Sequence, residues 1–411
     1  MTMQRLRLFI TSLLVGILVI FGLQAFAATT TVKAGAACSK VGTTTVVNTL
    51  KYTCIKSGKK LIWSKGEAVK TAGQDLSLVT PAYVPVPPSG GTDEYRCFLL
   101  DPKFAKETFV KSVTITPDNM KVSHHGILYR VSAANVQVTK SLDEQSEAPG
   151  WSCFGDTGIP GATAFTPASP SSWISFWAPG GNFKTYPEGT GMRFAQGDQF
   201  ILQSHFMVMP GHSDKDNRAS MTVALAYAKS TVADLKTMLV AAPIEVACAP
   251  NESGPLCLRA NALADLASRT SDKAALQGTG LLLICGQSLR PVPSPISECT
   301  QSINSSITIY GATPHMHQLG KSIEIVYTNG STGVRTEISS RPLWNFDDQR
   351  TDWLSKPMTA NAGDSISVRC TFDVGLRSQL PLYKNLSPNY VVWGEGTRDE
   401  MCLAIVNYTN Q

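Results

Sequence analysis

Alternation of apolar and polar positions dominates the chain beyond about residue 90. Gln199–Val208 puts Ile201, Gln203, His205 and Met207 on one strand face. Asp364–Phe372 groups Ile366, Val368, Cys370 and Phe372. Glu400–Tyr408 separates Met401, Leu403 and Ile405 from Cys402, Ala404 and Val406. Short strands broken by Gly, Pro and Asn turns predict an all-β chain of antiparallel sandwiches. One region departs from the pattern. Leu258–Gln277 is rich in Ala and Leu, with Leu263, Leu266 and Ala267 at helical spacing, and predicts a helical insertion within about 248–299.

Before this body the pattern is different. Leu8–Leu23 is an apolar stretch preceded by Arg5 and Arg7 and followed by Ala25-Phe26-Ala27, the arrangement of a cleaved export signal over 1–27. No other run approaches the roughly 20 apolar residues of a membrane span. Thr43–Val47 and Lys51–Ile55 flank Asn48-Thr49, which fits a hairpin stapled by Cys38 and Cys54 in an accessory module over 28–75. A linker is expected over 76–92, where Tyr83–Thr92 carries three prolines and two glycines. Two larger domains then follow, 93–228 and 229–411.

Composition narrows the class. Of 411 residues, 43% are hydrophobic and 16% charged, a globular balance. The net charge of +5 includes no long basic run, so nothing calls for a nucleic-acid partner. Ten cysteines, none in a CxxC pair, read as disulfides of an exported protein. Cys248, Cys257, Cys285 and Cys299 would clip the helical insertion, in any of three connectivities.

The six histidines carry the candidate chemistry. His124-His125 is adjacent, His205 lies mid-strand, and His315-Met316-His317 is an HxH; His212 follows Pro-Gly and reads as an ordinary loop residue. Imidazole suits copper, zinc, iron and nickel. His315 and His317 share a face in a strand and would grip one metal together. Adjacent His124 and His125 point oppositely unless a bulge intervenes. Taken alone, either motif is more often structural than metal-binding.

From about Asp93 to Gln411 the chain resembles the copper type II (ascorbate-dependent) monooxygenases, the family of peptidylglycine α-hydroxylating monooxygenase and dopamine β-monooxygenase. The resemblance runs through Val122-Ser-His-His-Gly-Ile-Leu128, Ile201-Leu-Gln-Ser-His-Phe206, Thr313-Pro-His-Met-His-Gln-Leu-Gly-Lys321, Arg369-Cys-Thr-Phe372 and Arg398-Asp-Glu-Met-Cys-Leu403. It implies two jelly-roll-like copper domains and two copper ions per chain. His124, His125 and His205 would hold an electron-transfer copper. His315, His317 and Met401 would hold a catalytic one, with the soft thioether favouring Cu(I). It also implies disulfides Cys97–Cys153 and Cys370–Cys402, and a role for Gln203 between the coppers in ordering solvent or carrying electrons.

The implied activity is hydroxylation of a C–H bond in a small organic substrate, using dioxygen and an external electron donor, which is ascorbate in animal members. The peptide-amidating members carry an Arg two residues before the HxH, and an Asn and a Tyr after the methionine. Here those positions are Thr313, Leu403 and Ile405, which argues against a peptide carboxylate and for a less polar substrate. Two alternatives are an exported copper-binding or electron-transfer protein without hydroxylase activity, and a structural β-sandwich adhesin with histidines in its core.

Overall fold

The strand Ser365–Phe372 buries Ile366, Val368, Cys370 and Phe372, as its alternation predicts. Most of the architecture follows the same rule. In a computed structural model, residues 33–47, 50–68, 75–88, 91–162, 169, 171–179, 181, 184–208, 216–384, 386–396 and 398–411 are described. The segment read as an export signal and His212 lie outside them. The chain divides into two units, Met1–Val69 and Lys70–Gln411.

In the smaller unit, Thr44–Val47 pairs antiparallel with Leu50–Ser57, which also pairs with Lys60–Trp63 and Glu67–Ala68. Cys38 and Cys54 are bonded, as the hairpin reading expects.

The larger unit begins with a sandwich of two sheets. One is ordered Ser171–Trp177, Ser123–Val131, Gln199–Met207, Asp93–Leu100, Trp151–Ser152. The other is ordered Ala233–Asp234, Thr190–Phe194, Thr108–Pro117, Met221–Tyr227, Leu76–Val79, with Lys184–Thr185 beside Thr108–Pro117. Pairing is antiparallel except between Thr190–Phe194 and Ala233–Asp234. Leu128, Phe200 and Leu202 of the first sheet pack with Val113, Val223 and Leu225 of the second. The expected linker over 76–92 needs correction at its start. Leu76 and Leu78 alternate with polar residues, and Leu76–Val79 adds an edge strand along Met221–Tyr227. The proline-rich remainder has no named strand.

A second pair of sheets follows. Lys236–Ala241, Leu403–Asn410, Ile307–His315 and Asp352–Ala360 form one; Ile296–Ser302, Ser365–Phe372, Gly320–Thr328 and Arg335–Arg341 form the other. The helical insertion comprises two helices, Arg259–Arg269 and Asp272–Ile284. Ser271 separates them, accepting a hydrogen bond from the Ala274 amide at 3.2 Å as an N-cap. Disulfides Cys248–Cys257 and Cys285–Cys299 resolve the open connectivity. No helix among the described residues is long and apolar enough to cross a membrane.

Gln199–Met207 is buried on both faces over Gln199–Phe206. Phe200 and Leu202 enter the core of the first sandwich. Ile201, on the opposite face, joins one apolar cluster with Cys97, Ile127 and Tyr129 and with Leu239, Ile309 and Val406 of the later sheets. The second sandwich therefore covers the outer face of the first sandwich's sheet, the face to which His205 belongs.

Candidate metal centre

His125 and His205 sit opposite each other on neighbouring antiparallel strands, Ser123–Val131 and Gln199–Met207. The next pair is Phe206 with Ser123, so His124 is an extra residue in the ladder. This is the bulge that adjacent histidines need to face one point. Gly126 follows the bulge, and a Cβ there would stand 2.9 Å from the Met221 sulfur, so a larger residue would require that side chain to shift.

The three rings converge. His124 Nδ1 lies 3.0 Å from His205 Nδ1, and His125 Nδ1 lies 3.2 Å from the same atom. Nitrogens bound to one metal at about 2.0 Å stand roughly 3.3 Å apart, so the spacing suits a shared ion. Asp93 Oδ1 meets His205 Nε2 at 2.7 Å, which puts the proton on Nε2 and leaves Nδ1 turned to its neighbours. Tyr95 stacks on His205 at 4.1 Å with 12° between the planes. Burial, then the neighbouring His205, holds His124 and His125 well below the usual imidazole range. Both are thus neutral, the form that binds metal.

The second group is built around a loop. His315 is the last residue of Ile307–His315, opposite Leu403, and His317 lies beyond the strand. The two rings are 5.3 Å apart and nearly perpendicular, at 83°. They do not share a strand face as the HxH spacing predicts. The reason is Glu400, fully buried, whose carboxylate accepts the amides of His317 at 2.8 Å, Leu319 at 2.6 Å and Met401 at 3.3 Å. Those bonds bend the chain away from the ladder.

His317 Nδ1 lies 2.9 Å from the Asp399 carbonyl oxygen, and His315 Nδ1 lies 2.6 Å from Gln349 Oε1. His317 Nδ1 therefore donates, and its Nε2 is left bare, buried and without a hydrogen-bond partner. Burial first, then His315, pushes His317 down to about 3. Met401 and Cys402 precede the strand Leu403–Asn410 and do not begin it. Cys402 bonds to Cys370, and Cys97 to Cys153, the two pairings the resemblance implies.

Both groups open on one cavity. His125, Trp173 and Phe176 come to it from the first sandwich; His315, Met401 and Ile405 come from the second. Phe346 also stacks on His124 at 5.6 Å, and Phe176 meets His315 edge-on at 6.1 Å. Ile405 lines the cavity, whereas Leu403 is buried in the core and Thr313 bonds Thr351 through their hydroxyls at 2.6 Å. Gln203 does not line it. Its side chain is fully buried and Nε2 donates to the Asp156 carbonyl at 3.0 Å, anchoring the segment after Cys153.

Several participants escaped the sequence reading. Asp93 and Gln349 orient histidines; Asp399 and Glu400 do so within the quoted Asp-Glu-Met-Cys motif, the only signal that pointed near them. Glu395 also lines the cavity, and burial pushes its carboxyl up to about 7.

Residues 294–411 match the model of the copper type II ascorbate-dependent monooxygenase C-terminal domain. No curated protein matches the chain. Among solved structures, dimeric latent PorU from Porphyromonas gingivalis is 11% identical with a TM-score of 0.16, over 78% of this chain and 24% of its own. The infectious bursal disease virus VP2 subviral particle is 7% identical with a TM-score of 0.17, over 84% and 74%. Procruciferin from Brassica napus is 10% identical with a TM-score of 0.14, over 94% and 87%. TM-scores this low have no bearing on the fold. The matched segment carries His315, His317 and Met401, and over 294–411 the chain is similar to the C-terminal domain of copper type II ascorbate-dependent monooxygenases.

Proposed function

We propose that the chain is an exported copper monooxygenase that inserts one atom of dioxygen into a C–H bond of a small, largely apolar substrate. The observation that carries this reading is the convergence of three imidazole nitrogens at 3.0 and 3.2 Å on one side of a cavity that His315 and Met401 line on the other. His124, His125 and His205 would hold one copper; His315, His317 and Met401 would hold a second. The donor sets suit copper: neutral imidazoles accommodate both oxidation states, and the thioether favours the reduced one. Copper bound there supplies the one-electron redox chemistry that activates dioxygen.

The remaining work falls to the chain. Asp93 and the Asp399 carbonyl fix the tautomers of His205 and His317. Burial keeps His124, His125 and His317 neutral. Trp173, Phe176 and Ile405 exclude water and favour an apolar substrate. Two electrons and two protons must be supplied from outside, because one oxygen atom leaves as water; an ascorbate-like reductant provides both. Five disulfides support a location in an oxidising compartment.

The test is copper content with reductant-driven oxygen uptake. The full chain is expected to bind about two coppers, and Met401→Ile to lose turnover while keeping the copper at the three histidines. Copper bound without any reductant- and substrate-dependent oxygen uptake supports instead a carrier or electron-transfer protein. No copper at all removes both readings and leaves the histidines structural.

A further inference from the structure

The positive charge of the chain is concentrated in the smaller unit. Residues 33–68 contain seven lysines and one acid, Glu67. These 36 residues carry a net charge of +6, more than the +5 of the whole chain, and include no histidine. Lys33, Lys40, Lys56, Lys59, Lys60 and Lys65 are all exposed. Among the described residues, lysine forms ion pairs only as Lys236–Asp234 and Lys273–Asp156, so no carboxylate neutralises any of the six.

The local fold spreads this charge over both faces of a small sheet. Leu50–Ser57 turns through Gly58 and Lys59 into Lys60–Trp63. Lys56 lies opposite Leu61, and Ser57 lies opposite Lys60. Alternation therefore puts Lys56 on one face and Lys60 on the other, with Lys59 at the tip. Tyr52 and Trp63 share the face of Lys56 and are partly exposed. The large apolar side chains exposed in this unit, among the described residues, are Val41 and Ile55.

Lysines gathered this closely repel one another, and a polyanion relieves the repulsion. Lysine meets such a partner as a hydrated point charge and imposes no fixed geometry on it. A planar bilayer would meet one face of the sheet and would gain little from two aliphatic side chains. A flexible polymer can follow both faces, and its sugar rings can lie against the apolar faces of Tyr52 and Trp63. We propose that the smaller unit is a docking module for an anionic polysaccharide, attracted by its lysines and seated against Tyr52 and Trp63. The proposal depends neither on copper nor on the monooxygenase reading.

Affinity of the full chain for heparin, a sulfated polysaccharide, tests it when measured over a range of salt concentrations. Binding is expected at low ionic strength and should weaken steadily as salt rises, because each lysine contact releases counterions. The triple variant Lys56→Gln, Lys59→Gln, Lys60→Gln should bind at least about tenfold more weakly, with a log–log salt slope shallower by about 2. Arginine at the same three positions keeps the charge and should retain binding. A control triple in the larger unit, Lys106→Gln, Lys140→Gln, Lys356→Gln, removes as much exposed charge and should bind as the parent does. Polyphosphate, which has charge but no sugar rings, should bind more weakly than heparin. No binding to heparin, an unchanged first triple, equal loss in both glutamine triples, or loss in the arginine variant overturns the proposal. Equal or tighter binding to polyphosphate or to phosphatidylglycerol vesicles overturns it as well, because the partner would then be recognised by charge alone or as a lipid surface.

Discussion

His205 has a different neighbour on each ring nitrogen, and that division determines what the first cluster can bind. Asp93 takes Nε2 at 2.7 Å, so Nδ1 faces His124 and His125. Asp93→Asn keeps the shape but removes the charge that fixes the ring and raises its basicity. Copper affinity at this cluster should fall about 10- to 100-fold, with the Met401 group unaffected. Competition against a Cu(I) chelator reads the loss directly, and equal affinity in variant and parent would show that Asp93 does not support the ligand set. The five histidines and Met401 were legible because the motifs that carry them are continuous in the chain. The bulge was legible as a requirement, since adjacent histidines cannot otherwise converge. Asp93, Gln349 and Glu395 were not, because a lone acid or amide acquires its role only from a partner brought from elsewhere in the chain.

At the scale of elements, alternation located Ser365–Phe372 and Gln199–Met207 but could not reveal what covers their second faces. It also missed Leu76–Val79, a strand with only two apolar residues beside a proline-rich stretch. Turns that join these strands are held by buried acids, and Asp364 shows the consequence. It accepts hydrogen bonds from the Tyr327 hydroxyl at 2.7 Å and from the amides of Asn361 at 2.7 Å and Gly330 at 2.8 Å. Those bonds, the Tyr327 one first, hold its carboxyl below the ordinary 3.8. A depressed carboxyl stabilises the fold above its unfolded-state value, and the effect is lost as pH falls through the folded value. Asp364→Asn should therefore lower stability by about 1–2 kcal/mol at neutral pH. The gap to the parent should close in acid, as pH falls through the folded carboxyl's lowered value and the parent protonates. Urea unfolding at the two pH values measures it; a gap that stays constant with pH would mean the charge plays no part.

At the scale of the whole molecule, the two sandwiches of Lys70–Gln411 are separate as sheets and joined in packing. No sheet among the described residues spans both. Yet Ile127, Tyr129 and Ile201 of the first share one buried cluster with Leu239, Ile309, Met401 and Val406 of the second. Unfolding either sandwich alone would expose that shared apolar face to water, an unfavourable change that scales with the area uncovered. The sequence suggested two domains of ordinary size, which would commonly unfold in separate steps. The continuous cluster argues for coupling instead. Scanning calorimetry should show one cooperative transition for Lys70–Gln411, with van't Hoff and calorimetric enthalpies in agreement, apart from any transition of Met1–Val69. Two resolved transitions from the larger unit would mean that the junction is weaker than its burial implies. The cavity between the histidine groups would then open without unfolding either half, and its apolar walls would no longer suffice to keep water from the reacting bond.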